Sequence, residues 1–164
     1  MKQAIQTRTA TTSHDFAVIE SLAKQIWTSH YTPIIGSAQV DYMLTKFQSQ
    51  SAIADDIGGG YVYTLAYSDG APCGYSAIKL DQGVFLSKFY VLQTHRGRGI
   101  GKALMDNIAD FANRHNQSRI WLTCNKHNPS LSVYKKMNFT IIDKIVTDIG
   151  GGYVMDDYVL EKAL

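Results

Sequence analysis

The sequence predicts one α/β (α+β) domain spanning residues 1–164, with a central, mostly antiparallel mixed sheet of about seven strands and about four helices. Two observations predict this class. Short runs rich in β-branched and aromatic residues alternate with longer segments whose apolar residues recur at helical spacing. A chain of 164 residues also has the length of one domain and can bury a core of its own.

The first fifty residues predict one strand and two helices. Ala4 to Thr9 forms the strand, and Ser13 is the candidate cap of the first helix. That helix carries its apolar residues at helical spacing: Phe16, Ile19, Leu22, Ala23, Ile26 and Trp27. Tyr31-Thr32-Pro33 ends it, and the second helix follows Gly36. Its apolar residues are Val40, Met43, Leu44 and Phe47.

A meander of three strands follows. Tyr61 to Tyr67 pairs with Gly74 to Leu80 through the turn residues Ser68-Asp69-Gly70. The third run, Gly83 to Leu92, is rich in β-branched and aromatic residues and is too short for a buried helix.

A glycine-rich turn stands between that third strand and a helix. It reads Arg96-Gly97-Arg98-Gly99-Ile100-Gly101, and the segment after it has an apolar face formed by Ile100, Ala103, Leu104, Ile108, Phe111 and Ala112. The spacing fits neither a Rossmann fingerprint nor a P-loop. A glycine turn that enters a helix presents free N–H groups and the positive end of the helix dipole. With the charges of Arg96, Arg98 and Lys102, this turn predicts a phosphate cradle.

A second motif, Asn125 to Phe139, follows a predicted strand from Arg119 to Cys124. Pro129 suits the first position of a helix and disfavours helical geometry at the residue before it, so Asn128 is the predicted N-cap. Leu131, Tyr134 and Met137 share one stripe of this short helix, and Asn138 suits the left-handed turn that ends it. Thr140 to Thr147 and Tyr153 to Glu161 then flank Ile149-Gly150-Gly151-Gly152 as a glycine-rich hairpin.

Composition excludes several function classes. The net charge is only +2 and the basic residues form no sustained stripe, so no nucleic-acid partner is expected. Cys73 and Cys124 follow no metal-ligand spacing and are expected to be reduced thiols, with no metal bound. The first eight residues lack the apolar core of a signal peptide and no membrane span is visible, so the expected location is cytoplasmic.

The glycine turn, followed about thirty residues later by N-x-x-N-P-S-x-x-x-Y-x-K-M-N-F, resembles the GNAT superfamily of acetyl-CoA-dependent N-acetyltransferases. The resemblance covers roughly residues 61 to 160 and is strongest from Phe89 to Phe139. It implies that acetyl-CoA is the co-substrate. It also implies that the strands ending at Leu92 and Cys124 splay apart and receive the cofactor between them.

The resemblance also assigns cofactor-binding residues. The main chain of Phe89, Tyr90 and Val91 should hydrogen-bond the pantetheine arm as an added strand would. Asn128 resembles the asparagine that contacts the cofactor, and Tyr134 resembles the tyrosine placed near its sulfur. The turn that should hold the pyrophosphate consists of Arg96, Gly97, Arg98, Gly99, Ile100, Gly101 and Lys102.

Physical chemistry gives Tyr134 a catalytic role. Acetyl transfer to an amine expels a thiolate that needs a proton, and a phenol of pKa near 10 can supply it to a thiol of pKa near 8.5. Alternatively, Tyr134 only packs its helix. A backbone N–H near Tyr90 and Val91 should meet the oxyanion.

The general base is not identified by the sequence. Leu86-Ser87-Lys88 offers no carboxylate on the strand before the glycine turn, where many relatives have a glutamate. The remaining candidates are Asp81, Asp148, the pair Asp156-Asp157, His30 and Tyr31, and a chain of water molecules is a further alternative.

The acceptor is expected to enter over residues 27–47 and the glycine hairpin. There His30, Tyr31 and the carboxylates Asp148, Asp156 and Asp157 could face a cationic amine. A small amine or polyamine fits this arrangement, and so does a peptide or protein amine. A non-catalytic acyl-CoA-binding sensor module is the alternative function. A homodimer is compatible with the sequence, which leaves the oligomeric state and the acyl-chain preference open.

Overall fold

The structure is a computed structural model that describes residues 4–164. The first three residues of the N-terminal stretch considered above therefore lie outside the described residues. The elements, in chain order, are β1 (Ile5–Thr9), α1 (Ser13–His30), α2 (Thr32–Ile35), α3 (Ser37–Phe47), α4 (Gln50–Gly58), β2 (Val62–Ser68), β3 (Ala71–Leu80), β4 (Val84–Val91), α5 (Ile100–Arg114), β5 (Arg119–Asn125), α6 (Ser130–Lys136), β6 (Thr140–Gly150) and β7 (Tyr153–Ala163).

The strands form one seven-stranded sheet in the order β1-β2-β3-β4-β5-β7-β6. Every neighbouring pair is antiparallel except β4 and β5, which run parallel. This confirms the predicted mostly antiparallel mixed sheet. The helix between β4 and β5 makes the parallel pairing possible, because parallel neighbours need a crossover connection.

Helices cover both faces of the sheet. On one face α1, α3 and α4 pack Ile19, Val40 and Ile53 against Tyr63 and Tyr75 of the sheet. On the other face α5 packs a second cluster, in which Met105, Ile108 and Ala112 contact Val84, Leu86, Ile120, Leu122 and Leu160. Neighbouring strand residues enter opposite clusters, as the two-residue period of a strand requires.

The first helix begins one residue earlier than expected. Thr12, rather than Ser13, is its N-cap, and its side chain accepts a hydrogen bond from the N–H of Asp15 at 3.2 Å. The carboxylate of Asp15 in turn accepts the N–H of Thr12 at 3.1 Å, which completes a capping box. Arg8 of β1 donates to the same carboxylate at 2.7 Å and so ties the helix start to the sheet.

Two helices were not predicted from the sequence. The single turn α2 lies where Pro33 was expected only to break a helix, since a proline suits the first turn of a helix. The other, α4, buries Ile53, and its N-cap Ser49 accepts the N–H of Ala52 at 3.2 Å. Ser49 was the available sequence signal.

Strands β4 and β5 pair only at their first residues. Val84 lies opposite Ile120 and Phe85 opposite Trp121, and no further pair joins the two strands among the described residues. Just after Phe85, the register between β3 and β4 shifts by one residue. Leu86 pairs with Ile78, whereas Lys88 pairs with Ala77, the neighbour of Ile78. Ser87 is therefore an extra residue, a β-bulge that bends the strand. The expected splay between β4 and β5 is confirmed.

None of the helices in residues 4–164 has the length and apolar character needed to cross a membrane.

Candidate functional site

Two cavities meet at the point where β4 and β5 diverge. The first, here called the glycine-turn groove, has a volume of about 460 Å³ and lies between the turn before α5 and helix α6. The second, here called the splay cavity, has a volume of about 410 Å³ and lies between the splayed strands, helices α1 and α3 and the β6–β7 hairpin. Phe89, Tyr90 and Tyr134 line both. These three side chains therefore form the shared boundary of the two cavities.

The glycine turn has the geometry of an anion cradle. Gly97 and Gly99 have φ of +74° and +86°, a left-handed conformation that glycine adopts readily. The first intrahelical bond of α5 runs from the N–H of Ala103 to the carbonyl of Gly99 at 3.0 Å. The N–H groups of residues 100–102 precede that bond, so they are free for an anion. The turn thus fits the phosphates of acetyl-CoA.

Most of the residues predicted to bind the cofactor line this groove. They are Phe89, Tyr90, Val91, Arg96, Gly97, Gly99, Gly101 and Lys102. Ile100 can offer only its backbone to a ligand in the groove, because its side chain is buried with Leu104 and Cys73 in the core. Arg98 lines neither cavity, and Asn128 lines the splay cavity instead of the groove.

One edge of β4 is available to an extended ligand. β3 pairs with β4 along its length, up to Gly74 opposite Val91, so that edge is occupied. The other edge pairs with β5 only through Val84 and Phe85. From Leu86 to Val91 the backbone groups on this edge face the gap between the strands, where a ligand can add to the sheet like an extra strand.

Tyr134 lies at the junction of the two cavities. Its ring centroid is 6.1 Å from that of Phe89 and 5.7 Å from that of Phe139. Burial raises the pKa of its phenol well above 10, and Tyr31 and Cys124 add to the shift. The phenol therefore holds its proton at neutral pH, and burial also makes it a weaker acid than an exposed tyrosine.

Asn128 joins α1 to the start of α6. Its Oδ1 accepts the N–H of Ser130, the first residue of α6, at 2.9 Å, although the N-cap position itself is occupied by Pro129 and not by Asn128 as predicted. The same oxygen accepts a hydrogen bond from Nε2 of His30 at 2.9 Å, and its Nδ2 donates to the hydroxyl of Tyr31 at 3.2 Å. The amide therefore orients His30, which lines the glycine-turn groove, and Tyr31, which lines the splay cavity.

The walls of the splay cavity are mainly aromatic and apolar. Burial raises the pKa of Tyr31 to about 12, so this wall residue stays neutral. The large apolar and aromatic residues around the cavity are Trp27, Tyr31, Ile35, Met43, Phe47, Tyr61, Phe85, Leu86, Phe89, Tyr90, Leu122, Tyr134, Ile149 and Met155.

Asp157 of β7 is a buried carboxylate in this cavity. Only 3% of the residue is exposed, and no described group hydrogen-bonds its Oδ1. Burial, followed by the charge of Asp156, raises the pKa of Asp157 to about 6. At neutral pH the group is thus ionised but is a stronger base than an ordinary aspartate.

The structure separates the two members of the Asp156-Asp157 pair. Successive strand residues face opposite ways, and Asp156 forms an ion pair with Lys126 at 2.8 Å on the other side of β7. Asp148 is exposed, and its Oδ1 accepts the N–H of Gly150 at 2.8 Å within the hairpin. Asp81 is exposed at the start of the β3–β4 turn region. Asp81, Asp148 and Asp156 line neither cavity.

Sequence reasoning missed a carboxylate and its partner. Asp56 of α4 lines the splay cavity, and its Oδ2 lies 3.3 Å from Nζ of Lys88 on β4. Burial lowers the pKa of Lys88 to about 8. The available signal was Lys88 itself, a charged residue in an otherwise apolar strand, which needs a buried partner.

The glycine hairpin closes the splay cavity against α3. The hydroxyl of Tyr42 donates to the carbonyl of Ile149 at 2.8 Å, and Nε2 of Gln39 donates to the carbonyl of Val154 at 3.0 Å. Gly150 has φ of +86°, and a Cβ there would lie 2.8 Å from the Tyr42 hydroxyl. A side chain at residue 150 would have to displace the Tyr42 hydroxyl, and the positive φ favours glycine there.

Known proteins carry the same sequence pattern. The sequence profile of the acetyltransferase (GNAT) family matches residues 20–139. A streptothricin acetyltransferase of Streptomyces lavendulae is 33% identical over 76 residues, which are 44% of this chain. The match spans 40% of the length of that protein.

Solved structures share the whole fold. A PaiA N-acetyltransferase of Thermoplasma acidophilum, solved in complex with coenzyme A, superposes with a TM-score of 0.79 at 17% identity, over 98% of this chain and 99% of that one. A GCN5-related N-acetyltransferase of Rhodopseudomonas palustris superposes with a TM-score of 0.85 at 15% identity, over 100% and 98%. At these identities the likeness concerns the fold.

Proposed function

The chain belongs to the acetyltransferase (GNAT) family, whose members use acetyl-CoA, and we propose that it transfers the acetyl group to the primary amine of a small molecule bound in the splay cavity. One observation carries this proposal. A groove with a phosphate cradle and a cavity with a buried carboxylate meet at a protonated tyrosine. This arrangement supports a ternary complex in which acetyl-CoA, the amine and Tyr134 meet.

Donor binding uses the backbone of two elements. The free N–H groups at the start of α5 hold the pyrophosphate, and the open edge of β4 from Leu86 to Val91 holds the pantetheine arm. The thioester, which supplies the activated acetyl group, then lies near Tyr90 and Tyr134. A backbone N–H of β4 stabilises the negative charge that develops on the acetyl oxygen.

Asp157 is the general base in this proposal. An amine attacks only as the free base, and Asp157, with its raised pKa of about 6, accepts the proton that the amine loses. A new C–N bond forms and the C–S bond breaks. The sulfur receives a proton from the phenol of Tyr134, and the proton taken up by Asp157 restores the phenol, directly or through water. The products are an amide and a thiol, so the protons balance.

The closed hairpin favours a small acceptor over a peptide. Its hydrogen bonds to Tyr42 and Gln39 hold the hairpin against α3 beside the splay cavity. A cavity of about 410 Å³ also has the size of sites for small ligands.

Thiol release from acetyl-CoA tests this function. The panel contains simple primary amines, diamines, a lysine-containing peptide and streptothricin, which the name of the relative from Streptomyces lavendulae suggests. We expect turnover with a small amine and none with the peptide. Coenzyme A binding without turnover of any panel member would overturn the proposal in favour of a sensor module.

A further inference from the structure

Building on the proposed function, we infer that the acceptor is a primary monoamine with an apolar, ring-sized body, and that Lys88 selects it by neutralising Asp56. The splay cavity carries three charged side chains among its described lining residues, namely Asp56, Lys88 and Asp157. The net charge of these three side chains is −1. The cavity therefore matches an acceptor that carries one positive charge.

The pairing of Lys88 with Asp56 is fixed by its surroundings. Only 7% of the Lys88 side chain is exposed, and Nζ also donates to the carbonyl of Phe47 at 2.7 Å and to the hydroxyl of Tyr63. The hydroxyl of Tyr63 donates in turn to Oδ2 of Asp56 at 2.5 Å. Although burial lowers the pKa of Lys88 to about 8, the ammonium form still prevails at pH 7.

A bound diamine would meet an unfavourable environment. Its first amine has Asp157 as counter-charge, but its second would find Asp56 already compensated by Lys88. Removing an ammonium from water without a counter-charge is costly. The same reasoning disfavours a polyamine, which would bring still more uncompensated charge into the cavity.

The remaining walls suit an apolar body. Trp27, Tyr31 and Tyr90 form a cluster of edge-to-face and tilted rings, with centroids 4.4 Å apart for Trp27 and Tyr31 and 5.6 Å apart for Trp27 and Tyr90. Phe47, Tyr61 and Phe85 add further apolar surface to the lining of the cavity. Flat aromatic walls bind a ring through stacking and can also hold one ammonium group over a ring face.

The wild-type enzyme provides the first test. We compare kcat/KM for 2-phenylethylamine, butylamine and 1,4-diaminobutane, and we measure the binding of each amine to the enzyme with coenzyme A by calorimetry. We expect both kcat/KM and the binding affinity to be at least about tenfold higher for 2-phenylethylamine than for 1,4-diaminobutane. A difference of this size is the expected effect of one poorly compensated charge. Equal or better performance of the diamine overturns the inference while leaving the proposed function intact. Absence of turnover with every amine contradicts the proposed function, and the calorimetric ratio still decides the inference.

Two substitutions test the role of Lys88. Lys88→Met leaves Asp56 with an uncompensated charge, so the ratio of kcat/KM for 1,4-diaminobutane over 2-phenylethylamine should rise about tenfold. Asp56→Asn leaves Lys88 uncompensated and should lower that ratio. The matched double variant Lys88→Met/Asp56→Asn should return it close to the wild-type value.

Thermal melting checks that each variant folds. If Lys88→Met fails to fold, the other two variants still test the role of Lys88. Only a charge effect lowers the kcat/KM ratio in Asp56→Asn and restores it in Lys88→Met/Asp56→Asn. An unchanged ratio in the folded variants overturns the assignment of Lys88.

Discussion

The ring of Tyr134 lies 6.1 Å from the ring of Phe89, and both rings line the glycine-turn groove and the splay cavity where the two meet. The contact joins α6 to β4, so the position of the tyrosine is set by the same strand that carries the open edge for the cofactor. The ring of Tyr134 is thereby held at the boundary between the two cavities.

Tyr134→Phe tests the proton donor. Removing the hydroxyl should lower kcat about a hundredfold, as expected for the loss of a positioned acid, while the affinity for acetyl-CoA stays nearly unchanged. Steady-state kinetics and calorimetry measure the two quantities. Tyr158→Phe is the matched control, since Tyr158 lines neither cavity. Undiminished turnover in Tyr134→Phe would make this tyrosine a packing residue only.

Asp157→Asn tests the general base through the pH profile. Because Asp157 acts when ionised and its pKa is raised to about 6, wild-type kcat/KM should fall as the pH drops below about 6. The variant should be at least about a hundredfold slower and should lose this acid limb. Asp156→Asn, on the opposite face of β7, should retain the acid limb but move it to lower pH, because the charge of Asp156 contributes to the raised pKa of Asp157. An acid limb that persists in Asp157→Asn would assign the titration to another group.

The same substitution should stabilise the fold. A carboxyl whose pKa is higher in the folded than in the unfolded protein favours folding when protonated, so its ionisation costs stability as the pH rises from about 4 to about 6. Asp157→Asn should therefore raise the melting temperature at pH 7.5 and change it little at pH 4. A lower melting temperature at pH 7.5 would contradict an uncompensated buried charge.

Gly99→Val tests the phosphate cradle. Gly99 has φ of +86°, which a β-branched residue cannot adopt without strain, so the turn should shift and its N–H groups should no longer converge. The affinity for coenzyme A should fall by more than about tenfold in calorimetry. Gly58→Ala, at a helical glycine with open space around it, is the control and should bind normally. A folded Gly99→Val protein with normal affinity would disprove the cradle.

Asp15→Asn tests the link between β1 and α1. The hydrogen bond from Arg8, together with the N–H groups of Thr11 and Thr12, holds the pKa of Asp15 well below its ordinary value. The ionised carboxylate of Asp15 thus stabilises the fold above about pH 4, and this stabilisation is lost as the pH falls further. Urea unfolding should show a loss of about 2 kcal/mol at pH 7, and a smaller one at pH 3. An equal loss at both pH values would show that the charge contributes nothing.

The local signals in the sequence were sufficient for much of the site. The glycine turn, the contact of Asn128 with the start of α6 and the tyrosine at position 134 each depend on residues close together in the chain, where spacing alone determines backbone geometry. The predicted family resemblance and the predicted mixed sheet are also confirmed. Helix α4 was not predicted, because its few apolar residues give a weak periodic pattern.

The acceptor side could not be predicted in this way. Asp148, Asp156 and Asp157 were selected together from their position beside the hairpin, and of these three carboxylates Asp157 lines the splay cavity while Asp148 and Asp156 do not. The period of two in β7 puts neighbouring carboxylates on opposite faces, and which face is buried depends on the partner strand β5. Asp56 comes from a helix about a hundred residues away in the chain.

The sequence by itself therefore determined the family, the conformation of the glycine turn and the position of Tyr134, since each is encoded by a short segment. Only the tertiary structure decided which charges meet the acceptor. The clearest case is the bulge at Ser87, which shifts the register by one residue and turns Lys88 away from Leu86 and toward Asp56. A shift of one residue exchanges the two faces of a strand, and it is visible only when the strand is paired with its neighbour.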